Sequence, residues 1–193
     1  MDPVPASQSA GQISADGQFR WDGQQWVPLG AGHRVPTPWT RPMQLAAAGF
    51  FALSAITGLI ITFGFVNHDS VLRAVHAQGA QIPASTDIDT IINATVGLTY
   101  GVAIFFAALD VVAAVGSFLA WRWIFWAVFV LCGLSTIGGL FNLRAFANVD
   151  QSPVPIVGLV VDELIALLAA GLFVWMVVGL VKYGPWAMKR PGT

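Results

Sequence analysis

Charge is what this chain has least of. Only 10% of its 193 residues are Asp, Glu, Lys or Arg, against about 25% in an ordinary soluble domain, too few to coat a water-facing surface. Cysteine is nearly absent as well: Cys132 stands alone inside an apolar run, which excludes an intrachain disulfide. His33, His68 and His76 lie outside the apolar runs. No Cys/His cluster therefore points to zinc or iron–sulfur, and no histidine pair suits haem ligation across a bundle. A net charge of −1 gives no basic field for nucleic acid. The N-terminus lacks a basic segment followed by an apolar one, so no cleaved signal peptide is expected. Nucleophile–base pairs, metal sets, phosphate loops and cofactor motifs are missing too, so neither an enzyme nor a bound cofactor is expected.

What the chain does have is apolar sequence in long runs. It is 56% hydrophobic, with a mean hydropathy of +0.70, and four segments stand out: about 43–66, 91–120, 124–143 and 154–181. A helix rising ~1.5 Å per residue crosses ~30 Å of hydrocarbon in about 20 residues, and every segment qualifies. Exposed backbone in lipid is excluded by unsatisfied polar groups. The expected class is an all-α integral membrane protein, an up-down bundle of four transmembrane helices over 43–183, in contact with membrane lipids.

Orientation follows from basic residues. Arg34, Arg41, Arg122, Lys182, Lys189 and Arg190 fall on one side of the spans, Arg73 and Arg144 on the other. The positive-inside rule then puts both termini in the cytoplasm. Trp39, Trp121, Trp123 and Trp186 agree, since all four fall near that interface. On the far side, the 67–90 loop predicts a short helix starting after Asp69 or Ser70 and ending at Gly79, with Ser85 or Thr86 capping the second span and Asp87 and Asp89 at its positive end. Its apolar face suits a membrane surface or a partner. The Asn93-Ala94-Thr95 sequon opens a membrane span and is read as chance.

Polar groups inside the spans are few. Asp110 should face protein or water, because an ionised Asp at mid-membrane costs ~2.5–3.5 kcal/mol on insertion scales. Ser54 on the first span and Ser135 and Thr136 on the third reach the same depth, so a polar layer is expected. It serves as structural glue, a partner contact or a proton relay, and a relay would need further carboxylates at neighbouring depths. Asp162 and Glu163 fall near the outer interface with Arg144 as their natural partner, an ion pair worth ~0–1 kcal/mol; a cation site there would need more oxygen ligands. For close helix packing the sequence offers Gly97-xxx-Gly101 and Ser54-xxx-Gly58.

The polar N-terminus divides into a disordered tail over 1–15, a module over 16–29 and a flexible Gly/Pro-rich tether over 30–42; residues 184–193 form a C-terminal tail. Asp22-Gly23 between apolar alternations predicts a two-residue hairpin turn. Trp21 would then face Gln24 and Phe19 would face Trp26, with Phe19, Trp21, Trp26 and Pro28 sharing one side. Such a ribbon is marginal alone in water, and its rings need a docking surface: the membrane interface, the bundle's own loops or another protein.

The stretch from Asp16 to Pro28, with its core Trp21-Asp22-Gly23-Gln24-Gln25-Trp26, resembles the Trp-Asp-Gly-x-x-Trp modules at the cytoplasmic ends of many actinobacterial and related high-GC bacterial membrane proteins. The Gly-Trp-Tyr-x-Asp-Pro element that precedes the best-known such module is absent here. The remainder is similar to small four-span proteins of such bacteria, in which a segment like Leu72–Gly79 precedes an acidic Asp87-x-Asp89 and a long second span. The resemblance implies architecture and a bacterial cytoplasmic membrane, and no reaction. A non-catalytic accessory or assembly subunit is the expected role, packing against other integral membrane protein subunits. The alternative is a small transporter or ion-conducting oligomer that uses Asp110.

Overall fold

The computed structural model describes residues 11–15, 19–21, 23–28, 35–79 and 87–189. Four helices long and apolar enough to cross a membrane dominate it: α1 (Thr40–Phe65), α3 (Ile88–Phe118), α4 (Ile124–Ala147) and α5 (Ile156–Lys182). A shorter helix, α2 (His68–Ala77), follows α1. Two small two-stranded sheets lie towards the chain ends, β1 (Phe19–Trp21) with β2 (Trp26–Pro28), and β3 (Val35–Pro36) with β4 (Met188–Lys189). The long helices match the four apolar segments of the sequence to within a few residues. At ~1.5 Å per residue, the 31 residues of α3 make a rod of ~46 Å, longer than a bilayer's hydrocarbon thickness.

The bundle is a ring in which α1 touches α3 most extensively, α4 touches α5, α1 also touches α5, and α3 meets α4 more sparingly. Its main core gathers at the end carrying the termini, around Met43, Phe51, Phe125, Cys132, Met176 and Trp186. A second, smaller cluster of Val66, Val71 and Ile92 seats α2 at the opposite end.

Local chemistry fixes the element ends. Pro42 sits in the first turn of α1, where its missing N–H removes no helical bond. α2 starts at His68, earlier than its sequence pattern implied, because Asn67 and Ser70 form a reciprocal capping box. Gly79, at φ +68°, closes it as expected. α3 is capped by Asp87, whose carboxylate accepts from the Thr90 amide at 3.3 Å and the Thr90 hydroxyl at 2.6 Å. The expected caps Ser85 and Thr86 lie outside the described residues. α3 ends in a Schellman motif, with Ala120 N–H on Ser117 O and Trp121 N–H on Gly116 O. Ala120 itself is left-handed, at φ 59°.

The two chain ends are stitched together, which the sequence pattern of a tether and a tail did not reveal. β3 pairs antiparallel with β4, Val35 opposite Lys189 and Pro36 opposite Met188. The Ala187 carbonyl accepts from the hydroxyls of Thr37 at 2.7 Å and Thr40 at 3.1 Å. Between them Trp186 is 1% exposed. Its ring meets Phe125 edge-on at 5.3 Å, and its indole N–H donates to Trp121 O at 3.2 Å. Gly184, at φ 105° and ψ −175°, makes the reversal in a region essentially reserved for glycine.

Two outcomes follow for this frame. Trp186→Ala should cost about 3–5 kcal/mol, the usual loss for a large buried aromatic, read as a fall in unfolding midpoint in detergent. The hydrogen bonds from Thr90, its hydroxyl foremost, hold the Asp87 carboxyl below its usual value of 3.8. A depressed carboxyl stabilises above its unfolded pKa and stops doing so as pH falls through the folded one. Amide exchange at the start of α3 should therefore stay slow on acidification until below the usual carboxylate range, and Asp87→Ala should abolish that pH step.

Candidate functional site

The residues singled out in the sequence fall in four places. On the N-terminal module, β1 and β2 pair with Trp21 opposite Trp26, Arg20 opposite Val27 and Phe19 opposite Pro28. This differs by two residues from the register expected of a two-residue turn, which pairs Trp21 with Gln24. The shift brings the two indoles together at 5.5 Å between centroids, a cross-strand aromatic pair worth roughly 0.2–1 kcal/mol. A slip of two preserves faces, so Phe19, Trp21 and Trp26 still share one side, and Pro28 keeps a register position opposite Phe19. Residues 11–14 run beside β1, with Gly11 N–H on Trp21 O, Trp21 N–H on Gln12 O and Ser14 N–H on Phe19 O. Phe19 and Trp26 stay about one-third exposed, at 36% and 37%.

Gly97 and Gly101 do not pack inside the bundle. Nothing lies within 4 Å of where a Cβ would stand at either. Between Ile92 and Ala113, α3 has no buried residue at all. The tight contacts use other glycines: a Cβ at Gly139 would sit 2.5 Å from the Ala166 methyl, and one at Gly116 would sit 2.8 Å from Ile124 Cγ1. The sequence pattern marks small residues but not which side of the helix they occupy, and only the ring order settles that.

Asp110 faces α1. It lines a cleft of about 170 Å³ with Ser54, Gly58, Thr62, Ala103 and Ala107, its carboxyl turned towards the Ser54 hydroxyl. Ser54-xxx-Gly58 thus faces α3 across this cleft. The expected layer is only partly assembled: Ser135 is exposed, and the Thr136 hydroxyl donates to its own helix at Cys132 O, 2.8 Å away.

The charges at the end of the bundle away from the termini separate. Among the described residues no ion pair joins Arg144 to Asp162 or Glu163; the ion pairs there are His68 with Asp69 at 3.5 Å and with Asp89 at 3.2 Å. Helical geometry explains the separation, since adjacent residues point about 100° apart. Glu163 points at α4, its Oε1 3.6 Å from the Cβ position of Gly139. Asp162 points the other way, into a cleft of about 430 Å³ beneath α2. That cleft is walled by Ile61, Val66, Val71, Val75 and Val154, with Thr62, Thr95, Thr99 and Gln78 among its polar groups. Sequence reasoning did not find it, because its walls come from α1, α2, α3 and α5 at unrelated positions. The only signal was the apolar face of α2.

Among the described residues no group of three or more His, Cys, Asp or Glu side chains is placed to hold a metal ion. No family model matches the chain, and neither the curated proteins nor the solved structures compared with it gave a match.

These placements separate two kinds of glycine. Gly139→Ala should destabilise the bundle by roughly 1–3 kcal/mol, the usual cost of overpacking, because α4 and α5 meet backbone to methyl there. Gly97→Ala should leave the isolated protein's unfolding midpoint unchanged or slightly higher, since alanine is the better helix former. Thermal unfolding of both variants in the same detergent checks the contrast.

Proposed function

We propose that the chain is a non-catalytic accessory or assembly subunit of a larger membrane protein complex, with both termini in the cytoplasm of a bacterial cell. The observation that carries this reading is the bare middle of α3. Residues 93–112 include no buried position, and Gly97 and Gly101 leave open backbone on that stretch. Apolar side chains facing lipid need no explanation. Two glycines four residues apart with nothing against them are different, because close helix approach is where such spacing gains most. The N-terminal module adds an aromatic side about one-third exposed, joined to the bundle through Val35, which pairs with Lys189 near the C-terminus. The Trp-Asp-Gly-x-x-Trp resemblance and the distribution of Lys and Arg support a cytoplasmic position for it.

A second reading, a small transporter or ion-conducting oligomer, draws on one observation: the Asp110 cleft and the larger outer cleft share Gly58 and Thr62 along their walls. Asp110→Asn separates the two. Lost flux with assembly intact favours transport, and lost assembly favours the accessory role.

The deciding experiment purifies the full chain from its native membrane in mild detergent and quantifies stoichiometric partners. The accessory reading expects a defined larger complex. Gly97→Leu with Gly101→Leu should then reduce recovered partner about tenfold, equivalent to ~1.4 kcal/mol, without lowering the unfolding midpoint of the chain itself. Deleting residues 16–29 tests the aromatic module in the same assay. A chain that runs alone, or only with copies of itself, overturns the reading.

A further inference from the structure

The outer cleft has a chemistry of its own, independent of the contact surfaces above. α2 roofs it and is held in place around it. His68 Nε2 lies 3.2 Å from Asp89 Oδ1, the Gln78 amide donates to Gln151 O at 3.2 Å, and Tyr100 OH donates to Val66 O at 2.7 Å. The space beneath, about 430 Å³, falls within the roughly 300–1,000 Å³ usual for small-molecule sites.

Its walls are mostly aliphatic, and its polar groups are biased in one direction. The Thr95 and Thr99 hydroxyls donate their hydrogens to Ile91 O at 2.9 Å and Thr95 O at 2.8 Å, which leaves their oxygens as acceptors. One N–H of the Gln78 amide is engaged with Gln151 O, which leaves its carbonyl oxygen as an acceptor and its second N–H as a donor. Asp162 is a carboxyl with no hydrogen bond or ion pair among the described residues. Among the described residues no Lys, Arg or His lines the cleft.

We propose that this cleft binds a protonated amine carrying a short apolar group, with the ammonium on Asp162 and the Thr95 and Thr99 oxygens, and the apolar group against Val71, Val75 and Val154. A lining richer in acceptors than donors favours a donor-rich head, and a lone carboxyl selects a positive one. An anion finds no cationic partner among the described lining residues and meets the Asp162 carboxyl. That excludes a carboxylate analogue, and it also excludes an ethanolamine phospholipid, whose phosphate would stand uncompensated near Asp162.

The test uses the full chain in nanodiscs of choline-headed lipid, with octylammonium, octanol and octanoate as probes and titration by NMR of labelled α2. Saturable shifts are expected for octylammonium alone. Asp162→Asn should weaken its binding by about tenfold or more, as loss of a charge-assisted hydrogen bond does. Val75→Phe, which fills the cleft from α2 and leaves the carboxyl untouched, should weaken it too. If Asp162→Asn lowers the unfolding midpoint, Val75→Phe still decides the outcome. Equal saturable binding of octanol, or undiminished octylammonium binding in both variants, overturns the proposal. So does loss of octylammonium binding when ethanolamine phospholipid replaces the choline lipid, because the occupant would then be a headgroup.

Discussion

The burial of one indole at the edge of the bundle governs how this chain is held. Trp186 follows the last long helix and would sit harmlessly at a membrane interface if α5 simply ran out into water. Instead Gly184 turns the chain back, and the ring packs on Phe125 with its N–H on the Trp121 carbonyl. That placement leaves the next carbonyl, of Ala187, facing the start of α1, where Thr37 and Thr40 take it. Three pieces of chain distant in sequence meet within a few residues: the approach to α1, the α3–α4 turn with the first turn of α4, and the C-terminal segment. Trp186 and Ala187 both carry positive φ, at 54° and 51°. Strained backbone of that kind costs about 1–3 kcal/mol per residue and persists only where surrounding contacts fix it.

The consequence for the rest of the bundle is asymmetry. Packing is dense at the end carrying the termini, where Met43, Phe125 and Met176 are fully buried, and looser at the other, where Val71 of α2 meets Val66 and Ile92 in a small cluster. Both clefts open in or beyond the loose half. α3 is the clearest case: it is anchored near its ends, by Ile92 against α2 and by Ala113, Gly116 and Ser117 near the knot. Along the stretch between, α1 is its main neighbour and the opposite side is bare.

Much of this was legible in the residues. Long apolar runs can only be helices in lipid, so the four spans followed directly. Asn67, Gly79 and the short α2 between them follow ordinary capping chemistry. The aromatic face of the N-terminal module was legible as well, because alternation fixes faces even when the register slips by two. Three things were not. The closure of the chain ends depends on a contact across about 150 residues, and nothing local in Thr37-Pro38-Trp39-Thr40 or Gly184-Pro185-Trp186 specifies a partner. Helix geometry turns Asp162 and Glu163 apart, but what each then meets depends on which neighbours flank α5. The cleft beneath α2 is a space, and sequence patterns describe surfaces better than spaces. Gly97-xxx-Gly101 shows the same limit from the other side, since the motif was visible while the side of α3 that it occupies was not.

Because Val35 is paired to the C-terminal segment, the reach of the aromatic module is set from that residue and not from the start of α1. The seven peptide steps from Pro28 to Val35 extend at most about 25 Å, less than one bilayer thickness. Tethering on that scale gives an effective concentration on the order of millimolar at any surface within range. An affinity too weak to detect between separate molecules would therefore suffice to keep the module engaged, provided its target stands beside this bundle in the same membrane.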